Sequence, residues 1–255
     1  MQLLKNKAPQ QLGLIGHTII GYPNLADSFA TIEILVKNGV SLIELQIPFS
    51  EPIADGPLFT RANHEAILKG IKLADCYRFI EQVAKRFSIP LVVMTYANVM
   101  VKQGYENFIK NVQQAGAQGA IVPDLPFDVA DDYLTLCREY QFAAIPVVAP
   151  NMTEQRLVSM SPYFDGFIYA PARSGVTGSK TELDTSLVGY LAKLRHYSKL
   201  PIAVGFGIRS PDDLAFLKGI ADYAVIGSET LRVHQEAGLS AVDQLWCQLS
   251  QFVKG

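Results

Sequence analysis

Short apolar runs alternate along this chain with amphipathic stretches, and glycines mark the joins between them. Residues 13–20 form the first run, closed by Gly21 and Pro23. The stretch after it places Phe29, Ile32, Leu35 and Val36 on one helical face and ends at Asn38-Gly39, a pair suited to a helix C-cap. Residues 41–47 make the second run. Further on, Tyr105, Phe108, Ile109, Val112 and Ala115 repeat the helical stripe until Gly116 stops it, and residues 119–122 follow as strand. Lys218-Gly219 leads into residues 223–226 in the same way. Between these lie predicted strands at 90–95, 143–148, 166–170 and 201–204.

The alternation amounts to about eight strand–helix units, the number that closes a parallel barrel. An open doubly wound sheet would give the same pattern. Most of the unusual residues fall where predicted strands end, in segments 44–57, 96–98, 124–126, 169–178, 205–207 and 227–228. Strand ends are where a barrel gathers its functional groups, which favours closure. The prediction is an α/β fold: a single (β/α)8 TIM barrel, one domain over residues 1–255, with a short N-terminal extension. About a dozen residues precede the first strand and Pro9 interrupts them, so residues 2–5 are expected to make one helical turn at most.

Composition narrows the function classes. Hydrophobic residues make up 49% and charged residues 18% of the chain, enough apolar material for one large core and too much for a disordered state. The net charge of -2 leaves no electrostatic footprint for nucleic acid or an anionic membrane. A small anionic substrate would need local donors. The three cysteines, Cys76, Cys137 and Cys247, have neither metal-ligand nor redox spacing and are expected as buried thiols in a reducing compartment. No run reaches the length of a membrane span, and residues 1–13 lack the apolar core of a signal peptide. A soluble, cytoplasmic protein without a metal is expected.

Residues 43–57, IELQIPFSEPIADGP, carry the most chemistry. Glu44 stands inside an apolar strand, on the opposite face from Ile43 and Leu45. A carboxylate there costs several kcal/mol unless it is paired, hydrated or protonated, which suits a group that must both take and give a proton. A buried salt bridge to an arginine would also account for it. Asp55 lies on a loop stiffened by Pro48, Pro52 and Pro57, beside Ile53 and Ala54. The alternative for Asp55 is a turn-capping aspartate before glycine.

Ile43-Glu44-Leu45, Pro48-Phe49-Ser50-Glu51-Pro52 and Ala54-Asp55-Gly56-Pro57 together resemble the signature of the tryptophan synthase alpha chain. The likeness extends through nearly the whole chain, by way of Tyr96-Ala97-Asn98, Asp124-Leu125-Pro126, Arg173-Ser174-Gly175-Val176-Thr177-Gly178, Gly205-Phe206-Gly207 and Gly227-Ser228. That family is a (β/α)8 barrel. The resemblance implies a retro-aldol cleavage of indole-3-glycerol phosphate to indole and glyceraldehyde 3-phosphate. The chemistry needs a proton on indole C3, a base for the side-chain hydroxyl, and a group to stabilise the positive charge developing at the ring nitrogen.

On this resemblance Glu44 performs the proton transfers and Asp55 accepts a hydrogen bond from the indole N–H. Tyr169 has an auxiliary positioning role, or is only a barrel-lining phenol. Gly178, Gly207, Gly227 and Ser228 match the family's phosphate ligands, with backbone N–H groups and a helix N-terminus as donors; Phe206 is placed with them at the substrate. Thr177 would meet the aspartate of loop two when the segment 173–180 closes as a lid, although composition alone reads that segment as a flexible surface loop. No cofactor is implied in this chain. Pyridoxal phosphate would sit on a partner beta chain that receives the indole, in an alpha2beta2 heterotetramer, with residues 47–57 and Asn98 forming the contact and Ile53 and Pro52 offering exposed apolar surface.

The sequence departs from the family at three places. Gln46 stands where the signature has glycine, on the same strand face as Glu44. His17 occupies a position where an aromatic wall of the indole pocket is usual. These two compensate for each other sterically, or they form a polar pair that adjusts Glu44. The N-terminal segment is also too short for the full helix with which the family seals the barrel bottom. The alternatives are a stand-alone indole-releasing lyase, and a weakly active barrel that mainly binds and activates a beta chain. A sugar-phosphate isomerase would fit the late loops but explains neither Asp55 nor the proline loop.

Overall fold

Parallel strands buried on both faces read as continuous apolar runs rather than as alternating ones. Each predicted run overlaps a strand, with the strands Ile168–Pro171 and Ile202–Gly205 ending one residue past theirs and Ala143–Ile145 filling only the first half of its run. The computed structural model describes residues 3–8, 10–172, 185–205 and 207–254. Among them the strands are β1 (Gly13–Ile19), β2 (Leu42–Gln46), β3 (Leu91–Met94), β4 (Gly119–Ile121), β5 (Ala143–Ile145), β6 (Ile168–Pro171), β7 (Ile202–Gly205) and β8 (Tyr223–Ile226). The helices are α1 (Leu25–Lys37), α2 (Pro57–Leu68), α3 (Leu73–Arg86), α4 (Ala97–Gln103), α5 (Tyr105–Gln114), α6 (Asp131–Glu139), α7 (Glu154–Met160), α8 (Thr185–Tyr197), α9 (Pro211–Leu217) and α10 (Ser228–Lys254). One helix follows each strand on the outside, and α2 and α4 are additions at the ends of β2 and β3. Helix α10 is broken at Gly238, whose φ of +75° takes the backbone out of the helical region.

All the paired strands are parallel, in the order β5-β4-β3-β2-β1-β8-β7-β6. The ring closes through a single bridge between Val147 and Tyr169. There Tyr169 N–H donates to the Pro146 carbonyl at 2.9 Å and accepts at its own carbonyl from Val148 N–H at 3.0 Å. Side chains alternate along each strand. Ile15, Leu42, Val92, Ile121, Ile145, Phe167, Tyr223 and Val225 fill the barrel interior. Leu14, Ile43, Leu45, Val93, Ile168, Val204 and Ile226 meet the helices, where Ile32 and Leu35 of α1 and Phe108, Ile109 and Val112 of α5 supply the other half of the outer core.

Among the described residues no helix precedes β1, and the barrel floor is sealed by the segment before that strand. Residues 3–8 form neither helix nor strand, with a bend at residues 3–4, and Leu4, 3% exposed, packs into the same cluster as Ile15, Leu42 and Val92. Three bonds hold this segment down: Tyr223 hydroxyl to Lys5 carbonyl at 2.8 Å, Asn6 Nδ2 to Lys199 carbonyl at 3.1 Å, and Lys7 N–H to Asp222 Oδ1 at 2.9 Å. Two sequence expectations need correction. Cys76 and Cys137 are buried thiols, but Cys247 is exposed, because α10 turns its neighbour Trp246 into the core and leaves Cys247 outward. Pro52 is buried, so the apolar exposure of the proline loop rests on Ile53, which is 69% exposed. No helix of the described residues is long and apolar enough to cross a membrane.

Candidate active site

The register of β1 against β2 sets the site. His17 and Glu44 are direct partners across the two strands, and both point into the barrel. Gln46, two residues after Glu44, faces inward as well. Burial is nearly complete: His17 is 9%, Glu44 2% and Gln46 0% exposed. Three polar side chains in an apolar barrel must satisfy one another. His17 Nδ1 lies 3.0 Å from Glu44 Oε1, and His17 Nε2 lies 2.9 Å from Gln46 Oε1. Gln46 Nε2 donates to Asp55 Oδ2 at 2.6 Å.

Asp55 reaches this cluster because the loop after β2 folds back over the barrel mouth. Its N–H donates to the Pro52 carbonyl at 2.9 Å in a turn, and Pro57 opens α2 directly after it. The Asp55 carboxylate does not cap α2; Gly56 is the N-cap, without a side-chain capping bond. Instead Oδ2 accepts from Gln46 and from the Tyr96 hydroxyl at 3.0 Å. Among the described residues Glu44 has no arginine partner; its Oε1 faces His17, and its Oε2 is buried without a hydrogen-bond partner.

Electrostatics follow from this packing. Burial favours the neutral imidazole of His17, but the Glu44 charge and hydrogen bond, the Asp55 charge and the Gln46 acceptor together outweigh it, so its pKa is raised. Burial raises the Asp55 pKa, against the opposing hydrogen bond from Gln46, the His17 charge and the Tyr96 hydrogen bond. The Tyr169 phenol is pushed well up, by burial first and then by the charges of Glu44 and Asp55.

These residues line one cavity of about 660 Å3, its open mouth included. Glu44, Asp55 and His17 stand on one side. Phe59, Met94, Ile121, Val147, Tyr169 and Val225 give apolar walls, and Gly207, Ile208, Arg209, Gly227 and Ser228 complete the lining at the end formed by the loops after β7 and β8. That end suits an anion. Ser228 is the first residue of α10, so backbone N–H groups of its first turn have no partners within the helix. Gly227 sits at a close approach, since a Cβ there would meet the His17 Cβ and the Phe59 ring at 3.0 Å. Among the described residues no group of histidine, cysteine and acidic side chains could hold a metal ion.

The structure therefore brings together Glu44, Asp55, Tyr169, Gly207, Gly227 and Ser228, and it joins His17 and Gln46 to the acids as a polar pair. Thr177, Gly178 and Phe206 lie outside the described residues, as does the rest of segment 173–180. Three contributors were given no role at the site from sequence, although Tyr96 stood in one of the strand-end motifs. Tyr96 bonds Asp55 from the end of β3, Asn63 of α2 holds the Gln46 amide, and Arg209 brings a cationic side chain to the anion end. Tyr96 and Arg209 each sit at or just past a strand end, which was the available signal. Asp124 serves the frame, accepting the Ala97 N–H at 2.9 Å where α4 begins.

Known proteins resemble this chain over almost its full length. Residues 3–252 match the family model of the tryptophan synthase alpha chain. The tryptophan synthase alpha chain of Syntrophotalea carbinolica is 44% identical over 94% of this chain and 95% of its own, and that of Desulfotalea psychrophila is 43% identical over 94% of each. Among solved structures, tryptophan synthase of Mycobacterium tuberculosis aligns with a TM-score of 0.87 at 32% identity, covering 96% of this chain and 94% of that one. The Legionella pneumophila tryptophan synthase subunit alpha aligns at 0.85 and 27% identity over 96% and 93%.

Proposed function

This chain belongs to the tryptophan synthase alpha chain family, and from that premise we propose how its own residues perform the reaction. The family reaction is the cleavage of indole-3-glycerol phosphate to indole and glyceraldehyde 3-phosphate in tryptophan biosynthesis, and this chain is a carbon–carbon lyase of that kind. One observation carries the assignment of roles. Glu44 lines the cavity with Oε1 held by His17 and Oε2 without a partner among the described residues, so one carboxyl oxygen is fixed and the other faces the space for substrate.

Glu44 Oε2 delivers the proton to indole C3 and takes the proton of the side-chain hydroxyl that becomes the aldehyde. Asp55, half-buried at the mouth, accepts the indole N–H and stabilises the positive charge that grows there as C3 is protonated. The apolar walls hold the ring, and Tyr169 fixes its orientation. At the end formed by the loops after β7 and β8 the backbone near Gly207, Gly227 and Ser228 holds the phosphate, with Thr177, Gly178 and Phe206 completing that side, and Arg209 adds a full positive charge.

The chain works in the cytoplasm beside a beta chain carrying pyridoxal phosphate, in an alpha2beta2 assembly that passes indole onward. A run of exposed apolar side chains supports this reading: Ile53 after β2, Val101 in α4 and Val129 after β4 are 69%, 58% and 72% exposed and follow three adjacent strands at the barrel mouth. Apolar groups clustered on one rim mark a docking surface more often than scattered ones do.

The test is indole release from indole-3-glycerol phosphate, with and without added beta chain. Glu44→Gln keeps a group that can hydrogen-bond His17, so the barrel should stay folded while turnover falls by about 10³-fold or more, the scale of a lost general acid–base. Retained turnover in that variant would rule out these roles. Stimulation by the beta chain of about tenfold or more, about 1.4 kcal/mol, supports the complex; full activity without it points to a stand-alone lyase.

A further inference from the structure

We propose that His17 and Gln46 are positioning residues that join Glu44 to Asp55 through one unbroken hydrogen-bonded chain, so that the geometry and protonation of the two acids are set together. The proposal rests on the roles of Glu44 and Asp55 given above and adds two residues to them.

The orientation of every member can be read outward from the backbone. Asn63 Nδ2 donates to the Phe59 carbonyl at 2.9 Å, and its Oδ1 accepts from the Phe49 N–H at 3.1 Å, so that amide is fixed at both ends. Gln46 presents the same side-chain atom to Asn63 Oδ1 at 3.4 Å and to Asp55 Oδ2 at 2.6 Å. Both are acceptors, so that atom is the amide nitrogen and the oxygen faces His17. An oxygen 2.9 Å from His17 Nε2 requires a hydrogen on Nε2. The remaining ring nitrogen, Nδ1, is 3.0 Å from Glu44 Oε1. Two lone pairs do not face each other at that distance, so a proton lies between them, carried either by the imidazole or by the carboxyl.

Two features make this more than a satisfied buried cluster. The chain begins and ends on the two acids that line the cavity, and it commits one oxygen of Glu44 while leaving Oε2 for substrate. The ring is also gripped: Phe59 packs edge-on at 4.9 Å, and the absent side chain of Gly227 leaves space that the imidazole fills. His17 is faced by Glu44 from β2, by Asp55 from the loop after it, and by Tyr169 across the shared cavity. His234 of α10 lines a smaller cavity on its other side. Tyr96 acts on the chain through Asp55.

The test uses the full chain and its variants His17→Phe, which keeps an aromatic of similar size, and Gln46→Met, which keeps the length without the amide. Steady-state indole release is measured from pH 6 to 9, alongside 15N chemical shifts of the His17 ring in ligand-free protein. The expected result is Nε2 protonated throughout this range in the wild type, kcat lowered about tenfold or more in each variant with KM within about twofold, and a displaced pH limb of kcat. The folded fraction of each variant is measured by circular dichroism at every pH and divided out of kcat, so that partial unfolding does not mimic the displacement. Unchanged kcat and pH profile in both variants, or an unprotonated Nε2 in the wild type, overturns the proposal while leaving the lyase roles standing. Full turnover in Glu44→Gln overturns those roles, and the proposal with them.

Discussion

Gly205 belongs to a glycine-rich strand end that the sequence assigns to phosphate, yet its neighbours give it another task. A Cβ at this position would lie 2.3 Å from the Tyr169 hydroxyl oxygen and 2.6 Å from Cζ. Ordinary contact begins near 3.4 Å, so Gly205→Ala obliges the phenol to move by about 1 Å. The backbone of Tyr169 is not free to follow, because its N–H and carbonyl both form the seam that closes the barrel between β5 and β6. The ring must therefore tilt within the cavity that holds Glu44 and Asp55. A displacement of about 1 Å in an active site costs about 10²-fold in rate, or about 2.7 kcal/mol, and overpacking a core site costs about 1–3 kcal/mol of stability. The expected outcome is kcat/KM for indole-3-glycerol phosphate reduced about 100-fold, with a lower urea midpoint. Tyr169→Ala supplies the control. If the effect runs through the phenol, adding Gly205→Ala to Tyr169→Ala should change kcat/KM by less than about twofold, a departure from additivity that neighbours in contact show. A full 100-fold loss in both backgrounds, or a Gly205→Ala enzyme within twofold of wild type, refutes the reasoning.

Two further outcomes follow from other parts of the fold. Leu4→Ala should remove about 3 kcal/mol of stability by emptying the floor of the barrel, and because Leu4 plugs the end away from the cavity, kcat should hold; a urea midpoint unmoved by the substitution would show that the floor is sealed by something else. For pH, His17 has a folded pKa raised above its ordinary 6.5, so its protonation stabilises the fold fully below about pH 6.5 and that contribution is lost as pH rises through the folded value. Wild-type stability should decline across this window, and Glu44→Gln, which removes the nearest opposing charge, should flatten the decline; superimposable urea midpoints from pH 6 to 9 would contradict the assigned direction.

The barrel could be read from the chain because its strands are buried on both sides. Residues 223–226 match β8 in full, and the run at 41–47 overshoots β2 by one residue at each end. Helix faces were equally open to reading: Ile32 and Leu35 of α1 have no exposure, and Gly39, at φ +79°, follows the C-cap at Asn38. The seam between β5 and β6 could not be read in this way, since one bridge between Val147 and Tyr169 leaves no period in the sequence. Nor could the Leu4 plug, because six or so residues outside helix and strand carry no repeat to announce which of them is buried. Cys247 illustrates the opposite error, a residue type taken as evidence of burial when the helix phase set by Trp246 decides it.

At the site, local sequence marked Glu44 as a buried carboxylate but not the groups around it. Glu44 announces itself as a carboxylate in an apolar run. Its partner His17 is 27 residues away, and Tyr96 bonds Asp55 across a separation of 41 residues. His17 and Gln46 were visible only as departures, and their meaning turned on register. Parallel pairing that sets His17 opposite Glu44 puts both side chains and Gln46 on the inner face. A slip of one residue between strand and core would send His17 outward among the helices, leaving Glu44 buried beside a glutamine with no ring between the acids. The same residues would then support the weakly active barrel rather than the coupled pair. What decides between those readings is the hydrogen-bonded path from Asn63 through Gln46 and His17 to Glu44, and each bond in it crosses between segments that no local window contains.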